Sequence, residues 1–338
     1  MKLIYRSTPE EEIEDKRFST EEFDLSGKKE GKEGIIRVDL IEAYREFFGF
    51  KEEPFSVTPD PKFFFFSNSH AEALNHLRYG IYEGMGFTLI LGEPGTGKTI
   101  LSRYFIEKGG NDLKISRIFD PRVSSREMMI TLLGYSSEHY DKEEVLTEGE
   151  LLERLAHLLF NFYREKKRVV LLVDEAQSLK DEVLEGLRFL SNLETQKDKL
   201  LQIVLFAQPE FEEKLRSRGL RQLDQRILVR YHLLPFEPVE IKPYIKAQLN
   251  IAGGDPKISF TPEAINEIYR LSSGTPRLVN ALCERALMAA FVDNTKILLE
   301  KHILDGSESL KGLISSESRL LSRIGSLKRM ELEKLKNI

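Results

Sequence analysis

A chain of 338 residues is long enough for one large domain or two ordinary ones, each with its own core. Its net charge of −5 excludes a molecule that is basic over its whole surface, so any contact with nucleic acid or anionic lipid has to be a local patch. A lone cysteine, Cys283, excludes an intrachain disulfide and makes a reducing cytoplasm the expected compartment, and no run of about 18 apolar residues offers a membrane span.

Residues 1–36 are dominated by Glu, Lys, Asp, Gly and Ser and hold no apolar stretch suited to a signal peptide. They bury too little apolar area to offset their ordering entropy and read as a disordered charged tail. Over 37–236 the pattern becomes globular. "FTLILG" (87–92), "LKISRIF" (113–119), "RVVLLVD" (168–174), "LLQIVLFA" (200–207) and "VRYHLL" (229–234) are short apolar runs. Helical spacing separates and flanks them at 70–83, 98–108, 124–134, 149–165, 181–194 and 209–217. Near-continuous apolar strands alternating with helices predict an α/β fold whose parallel sheet is covered on both faces. Over 237–305 the strand signals stop, and 238–252, 261–271, 276–292 and 297–304 read as helices of a smaller all-helical domain. Cys283 falls on an apolar face there and reads as a core residue. Residues 306–338 place Leu313, Leu320 and Leu327 seven apart, but Glu317 and Glu331 interrupt the seam, so an amphipathic helix docked on its own protein or a partner is expected rather than a long coiled coil.

"GEPGTGKT", Gly92 to Thr99, fits the phosphate-loop pattern directly after an apolar run. Gly95 and Gly97 let backbone N–H groups converge on phosphate oxygens, Lys98 brings charge to the β- and γ-phosphates, and the Thr99 hydroxyl suits Mg²⁺. The set Gly92, Glu93, Pro94, Gly95, Thr96, Gly97, Lys98, Thr99 and Ile100 is therefore the candidate nucleotide-binding stretch. "VVLLVDEAQSL" ends a buried strand in two carboxylates, Asp174 for Mg²⁺ and Glu175 to take a proton from, or orient, an attacking water. Hydrolysis of the β–γ bond of ATP is the implied reaction. Gln208, after the fourth run, can hydrogen-bond the γ-phosphate or that water, or simply satisfy a loop start. Arg221, Arg226 and Arg230 cluster around the fifth run, where a guanidinium can reach a neighbouring subunit's nucleotide, and Arg277 opens a helix from which it can fold over the γ-phosphate.

Together "FFGFKEEPFSVTPDPKFFFFSNSHAEALNHLRYGI", "GEPGTGKT", "VDEAQSL", "LRFLSNLET", "LLQIVLFAQPEF", "LDQRI" and "SGTPRLVNALC" resemble the ExeA/GspA family of AAA+ ATPases, from about Phe47 to His302. The resemblance implies a core with sheet order 5-1-4-3-2 and a C-terminal helical lid. By motif position it makes Gln208 the first sensor, Arg226 the arginine finger acting in trans within a homo-oligomer, and Arg277 the second sensor. Envelope-acting members of the family continue into a membrane span and a peptidoglycan-binding region, neither of which these residues contain. The expectation is an ATP- and Mg²⁺-dependent ATPase that powers or regulates assembly of a secretion, pilus or exopolysaccharide machine, cytoplasmic or peripheral to the inner membrane through a partner. The alternative is a DNA-associated ATPase of the transposition or initiator type.

The four phenylalanines of "TPDPKFFFF" lie just upstream of the first strand. In nucleotidases of this architecture the entering chain lies along the adenine, so Pro54, Phe55 and the "TPDP" turn are placed as its wall, with Phe63, Phe64, Phe65 and Phe66 beneath. His70 and His76 read as helix-start and surface groups rather than ligands.

Overall fold

In a computed structural model that describes residues 40–56, 58–118, 122–134 and 146–310, the five apolar runs form one parallel sheet. Its strands are β1 (Phe87–Gly92), β2 (Leu113–Ile118), β3 (Arg168–Val173), β4 (Leu201–Ala207) and β5 (Ile227–Leu233), in the order β2-β3-β4-β1-β5. This is the 5-1-4-3-2 order that the resemblance implied. Helix α1 (Leu40–Phe48) lies almost wholly in a separate unit ending at Phe47; all that follows concerns the unit from Phe48 onward. The charged tail of 1–36 and most of the C-terminal stretch, from 311 on, lie outside the described residues.

Alternation along each strand divides the core between the two faces. Leu89, Leu91, Leu171, Val173, Ile203 and Leu205 point to one face, and Ile90, Val170, Leu172, Val204 and Phe206 to the other. The first face is covered by α4 (Ser125–Leu132), α5 (Glu148–Arg164), α6 (Asp181–Leu190), α7 (Glu210–Leu215) and α8 (Arg221–Asp224). Helix α5 shows why: Leu151, Leu155 and Leu159 recur every four residues and are all buried, each contributing about 1.5–3 kcal/mol. The second face carries α2 (Asn68–Tyr82) and α3 (Lys98–Lys108). Helix α2 sits close on β1 at Gly80, where an added Cβ would come within 1.9 Å of the Thr88 hydroxyl.

The C-terminal segment holds α9 (Pro238–Ile251), α10 (Pro262–Ser272), α11 (Pro276–Val292) and α12 (Glu300–Glu308). It is not purely helical. Two short strands, β6 (Ser259–Phe260) and β7 (Ile297–Leu298), pair in parallel, so the stretch expected as a helix from 297 begins as a strand. Asn294, at φ +49°, turns the chain out of α11 into this pairing. Helix α12 then starts where His302 Nδ1 accepts the Leu299 N–H at 3.0 Å. Cys283 is buried on α11, and burial pushes its thiol pKa well up, as suits a core residue.

Candidate nucleotide site

The loop between β1 and α3 is shaped by its own backbone. Gly95 and Gly97 adopt φ +82° and +103°, a left-handed region that side chains disfavour. A Cβ on Gly95 would also meet Arg277 Cβ at 2.8 Å. The Thr96 side chain is buried, its hydroxyl donating to Glu93 O at 2.8 Å. The Lys98 ammonium donates to Gly92 O at 2.5 Å and Glu93 O at 3.1 Å, which curls the loop around it. Burial lowers the Lys98 pKa, while the carboxylates of Glu175, Asp174, Glu93 and Glu210 pull it back up. Helix α3 begins at Lys98 with no side-chain cap, so its first N–H groups are left for an anion.

A cavity of about 670 Å³ opens over this loop. From the expected stretch, Pro94, Gly95, Gly97, Lys98, Thr99 and Ile100 line it, whereas Gly92, Glu93 and Thr96 act behind the surface through the contacts above. Glu175, Gln208 and Arg277 also line it, from three different elements. Arg277 is drawn in because its N–H donates to Gly95 O at 3.3 Å, which seats the start of α11 on the loop. Phe55 lines the cavity with Pro54, Thr58, Pro59 and Phe63 on one wall, and Tyr244 and Gln248 of α9 complete it. Gln248 donates to Phe63 O at 2.9 Å and so ties that wall to α9.

Of the four phenylalanines only Phe63 faces the cavity. Phe64 is buried against α2 and α3, Phe65 meets Phe236 and Tyr244 edge-on, and Phe66 is 51 % exposed. The expected common floor is therefore divided: Phe63 faces the cavity, Phe64 and Phe66 meet each other and Tyr104, and Phe65 turns to Phe236 and Tyr244.

The two carboxylates of the acidic pair have different partners. Asp174 is buried and pairs with Arg117 of β2 at 3.1 Å, while its other oxygen accepts the Glu175 N–H at 3.1 Å. Glu175 stands at φ +54°, and its carboxylate accepts from Gln177 Nε2 at 2.5 Å and Gln208 Nε2 at 3.2 Å. Thr99 and Asp174 supply hard oxygen donors of the kind Mg²⁺ takes. Among the described residues no group of three or more His, Cys, Asp or Glu is placed to hold a metal ion by itself.

Arg226 does not reach the cavity; its Nη1 donates to Ser191 Oγ at 2.9 Å. Arg230 pairs with Asp224 at 2.8 Å, and Arg221 is exposed. Sequence reasoning missed Arg117, Gln177 and the depth of His70, which is a helix-start residue as expected but only 2 % exposed. Arg117 left a signal, a cation near the carboxyl end of the second run, and His70 left the Ser67 spacing at i−3.

A family model described as an AAA domain matches residues 81–215, which span the phosphate loop, the acidic pair and Gln208. Residues 81–215 thus match an AAA domain. The chain is similar to general secretion pathway protein A of Aeromonas hydrophila, 43 % identical over 272 residues, 80 % of this chain and 49 % of that protein. The chain thus spans about half the length of that curated relative. Among solved structures, Cdc6p of Pyrobaculum aerophilum aligns with TM-score 0.55 and 17 % identity over 76 % of this chain and 70 % of its own. The ORC2 protein of Aeropyrum pernix, solved as ADPNP–ADP complexes, aligns with TM-score 0.52 and 18 % identity over 72 % of this chain and 66 % of its own. At such identity these two show a shared fold alone. The matched AAA domain thus carries the phosphate loop, and none of the described helices is long and apolar enough to cross a membrane.

Proposed function

We propose that the chain hydrolyses ATP with Mg²⁺ and uses the turnover to power or regulate assembly of a secretion, pilus or exopolysaccharide machine. The observation that carries the chemistry is Glu175, a carboxylate held by Gln177 and Gln208 in the wall of the phosphate-loop cavity. In this reading the loop N–H groups and Lys98 bind the β- and γ-phosphates, Phe55 and its neighbours flank the base, and Glu175 accepts the proton of the attacking water. Gln208 orients that water, Arg277 answers the γ-phosphate charge, and Arg226 serves a neighbouring copy. Thr99 and Asp174 would hold Mg²⁺, which screens the phosphate charge when bound. Both Asp174 oxygens are engaged, with Arg117 and the Glu175 N–H, an arrangement that suits contact through water. Residues 237–305 act as the lid that carries Arg277.

The assembly role is supported by the likeness to general secretion pathway protein A over most of this chain. In this reading the chain works in the cytoplasm, or peripheral to the inner membrane through a partner. The DNA-associated reading gains nothing specific: Arg230 pairs internally with Asp224, and the likenesses to Cdc6p and ORC2 concern fold only.

The deciding experiment is Glu175→Gln in the full chain with Mg²⁺ and ATP. Turnover should fall by about 10²–10⁴-fold while nucleotide still binds. Undiminished turnover overturns the hydrolytic reading.

A further inference from the structure

His70, the third residue of α2, lies directly behind the phosphate loop. A Cβ built on Gly97 would come within 2.5 Å of its Nε2 and 3.3 Å of its Cε1. On the other side of the ring, Ser67 Oγ lies 2.7 Å from Nδ1 and also accepts the His70 N–H at 3.2 Å, which caps α2. Having accepted that N–H, the hydroxyl has one proton to give, and Nδ1 is the acceptor in line. The ring proton then sits on Nε2, the nitrogen that faces the loop. Nε2 thus faces the Thr96–Gly97 peptide, and the Thr96 backbone is the group on that side that favours the protonated ring, as a carbonyl acceptor does.

This contact sets one peptide plane. A trans peptide points its C=O and N–H in opposite directions. Fastening the Thr96 carbonyl to the imidazole therefore turns the Gly97 N–H away from it, and Gly97 lines the cavity. The ring is itself met edge-on by Phe64, with centroids 5.4 Å apart, and at a tilt by Phe236 at 6.0 Å. Phe236 N–H donates to Gly274 O at 2.9 Å, a short way before Arg277. One imidazole thus braces the loop from behind and touches the segment that leads to the Arg277 side of the cavity.

We infer that His70 is a positioning residue of the phosphate loop, whose Nε2–H fixes the Thr96–Gly97 peptide in the orientation that presents the Gly97 N–H to a polyphosphate. The inference rests on the nucleotide reading above and adds to it a residue outside the loop and the acidic pair. It predicts a binding defect distinct from a loss of chemistry, since His70 touches no reacting atom.

The test compares His70→Leu, His70→Gln and Ser67→Ala in the full chain, with Kd for a fluorescent ATP analogue, KM and kcat for ATP, and melting temperature. His70→Leu should raise Kd and KM about tenfold and leave kcat within about threefold, because the Thr96 carbonyl loses its partner. His70→Gln, whose side-chain amide can reach the same carbonyl, should bring Kd back to within about threefold of the parent. Equal Kd for the Leu and Gln variants, or a parental Kd for His70→Leu, overturns the inference and leaves His70 a core residue. Should His70→Leu fail to fold, Ser67→Ala decides: it keeps the ring but frees its tautomer, so Kd should rise, and an unchanged Kd overturns the inference. A parent chain that binds the analogue but does not turn over ATP defeats the hydrolytic reading alone, because the Kd comparison still decides the role of His70. A parent that binds no nucleotide defeats both.

Discussion

Gln208, at the end of β4, donates its side-chain amide to the Glu175 carboxylate at the end of β3, across 3.2 Å. The same oxygen accepts from Gln177, whose own side-chain oxygen accepts the Gln208 N–H at 3.1 Å. Three residues on two strand ends thus close a small network around the carboxylate. That network holds Glu175 at φ +54°, a conformation costing about 1–2 kcal/mol for a residue with a side chain. Replacing Gln208 by Leu removes one arm of it. The expected result is a fall in kcat of about tenfold with nucleotide Kd unchanged, measured by steady-state turnover beside a binding titration. A change in Kd with kcat intact would assign Gln208 to nucleotide binding instead.

Arg117 and Asp174 form the second pairing that shapes the site, between side chains that are 14 % and 10 % exposed. Removing one partner of a buried pair leaves the other charge uncompensated and costs about 3–5 kcal/mol. Arg117→Met should therefore lower the melting temperature of the nucleotide-free protein. Mg²⁺ with ATP should then raise it by more in the variant than in the parent, since a cation near Asp174 replaces the missing charge. Calorimetry with and without Mg²⁺ and ATP reads both effects, and an equal ligand-induced rise in the two proteins would remove Asp174 from the ion's neighbourhood.

These two pairings also mark where sequence reading stops. The five strands were legible because parallel strands buried on both faces are near-continuous apolar runs. Helices α3 and α11 matched their expected bounds, the first because it opens at the end of the phosphate loop and the second because a Thr-Pro pair marks its start. The Arg117–Asp174 pair needed the strand order, since β2 and β3 are neighbours in space with two helices between them in the chain. The β6–β7 pairing rests on two residues per strand, too few to leave a periodicity. His70 was read from its neighbours in sequence, yet its burial comes from the loop that crosses it.

The phenylalanines separate stability from binding less cleanly than their sequence positions suggest. Phe55 is 3 % exposed and Phe64 8 %, so truncating either leaves a cavity costing about 3–5 kcal/mol. The difference lies in what each ring faces. Phe55 lines the nucleotide cavity and Phe64 does not. Phe55→Ala should therefore lose both melting temperature and nucleotide affinity, while Phe64→Ala loses melting temperature alone when affinity is measured below its own transition. Equal affinity losses in the two variants would show that the wall around Phe55 makes no contact with the base.

His70 also gives the protein a specific sensitivity to acid. Burial pulls its pKa from 6.5 down to about 4, opposed only in part by the bond to the Thr96 backbone. Between those two values the unfolded chain takes up a proton that the native ring refuses. Stability therefore falls as the pH drops below about 6.5 and levels off once the pH is below about 4. Between pH 7 and pH 5 the loss from this one group is about 2 kcal/mol. His70→Gln cannot take up that proton, so its unfolding free energy should fall by about 2 kcal/mol less than the parent's over the same interval, whatever its starting value. Urea unfolding of the parent and variant at the two pH values measures the difference directly. Parallel losses in the two proteins would mean that the ring is protonated in the folded state and is not the neutral Nε2–H donor behind Gly97.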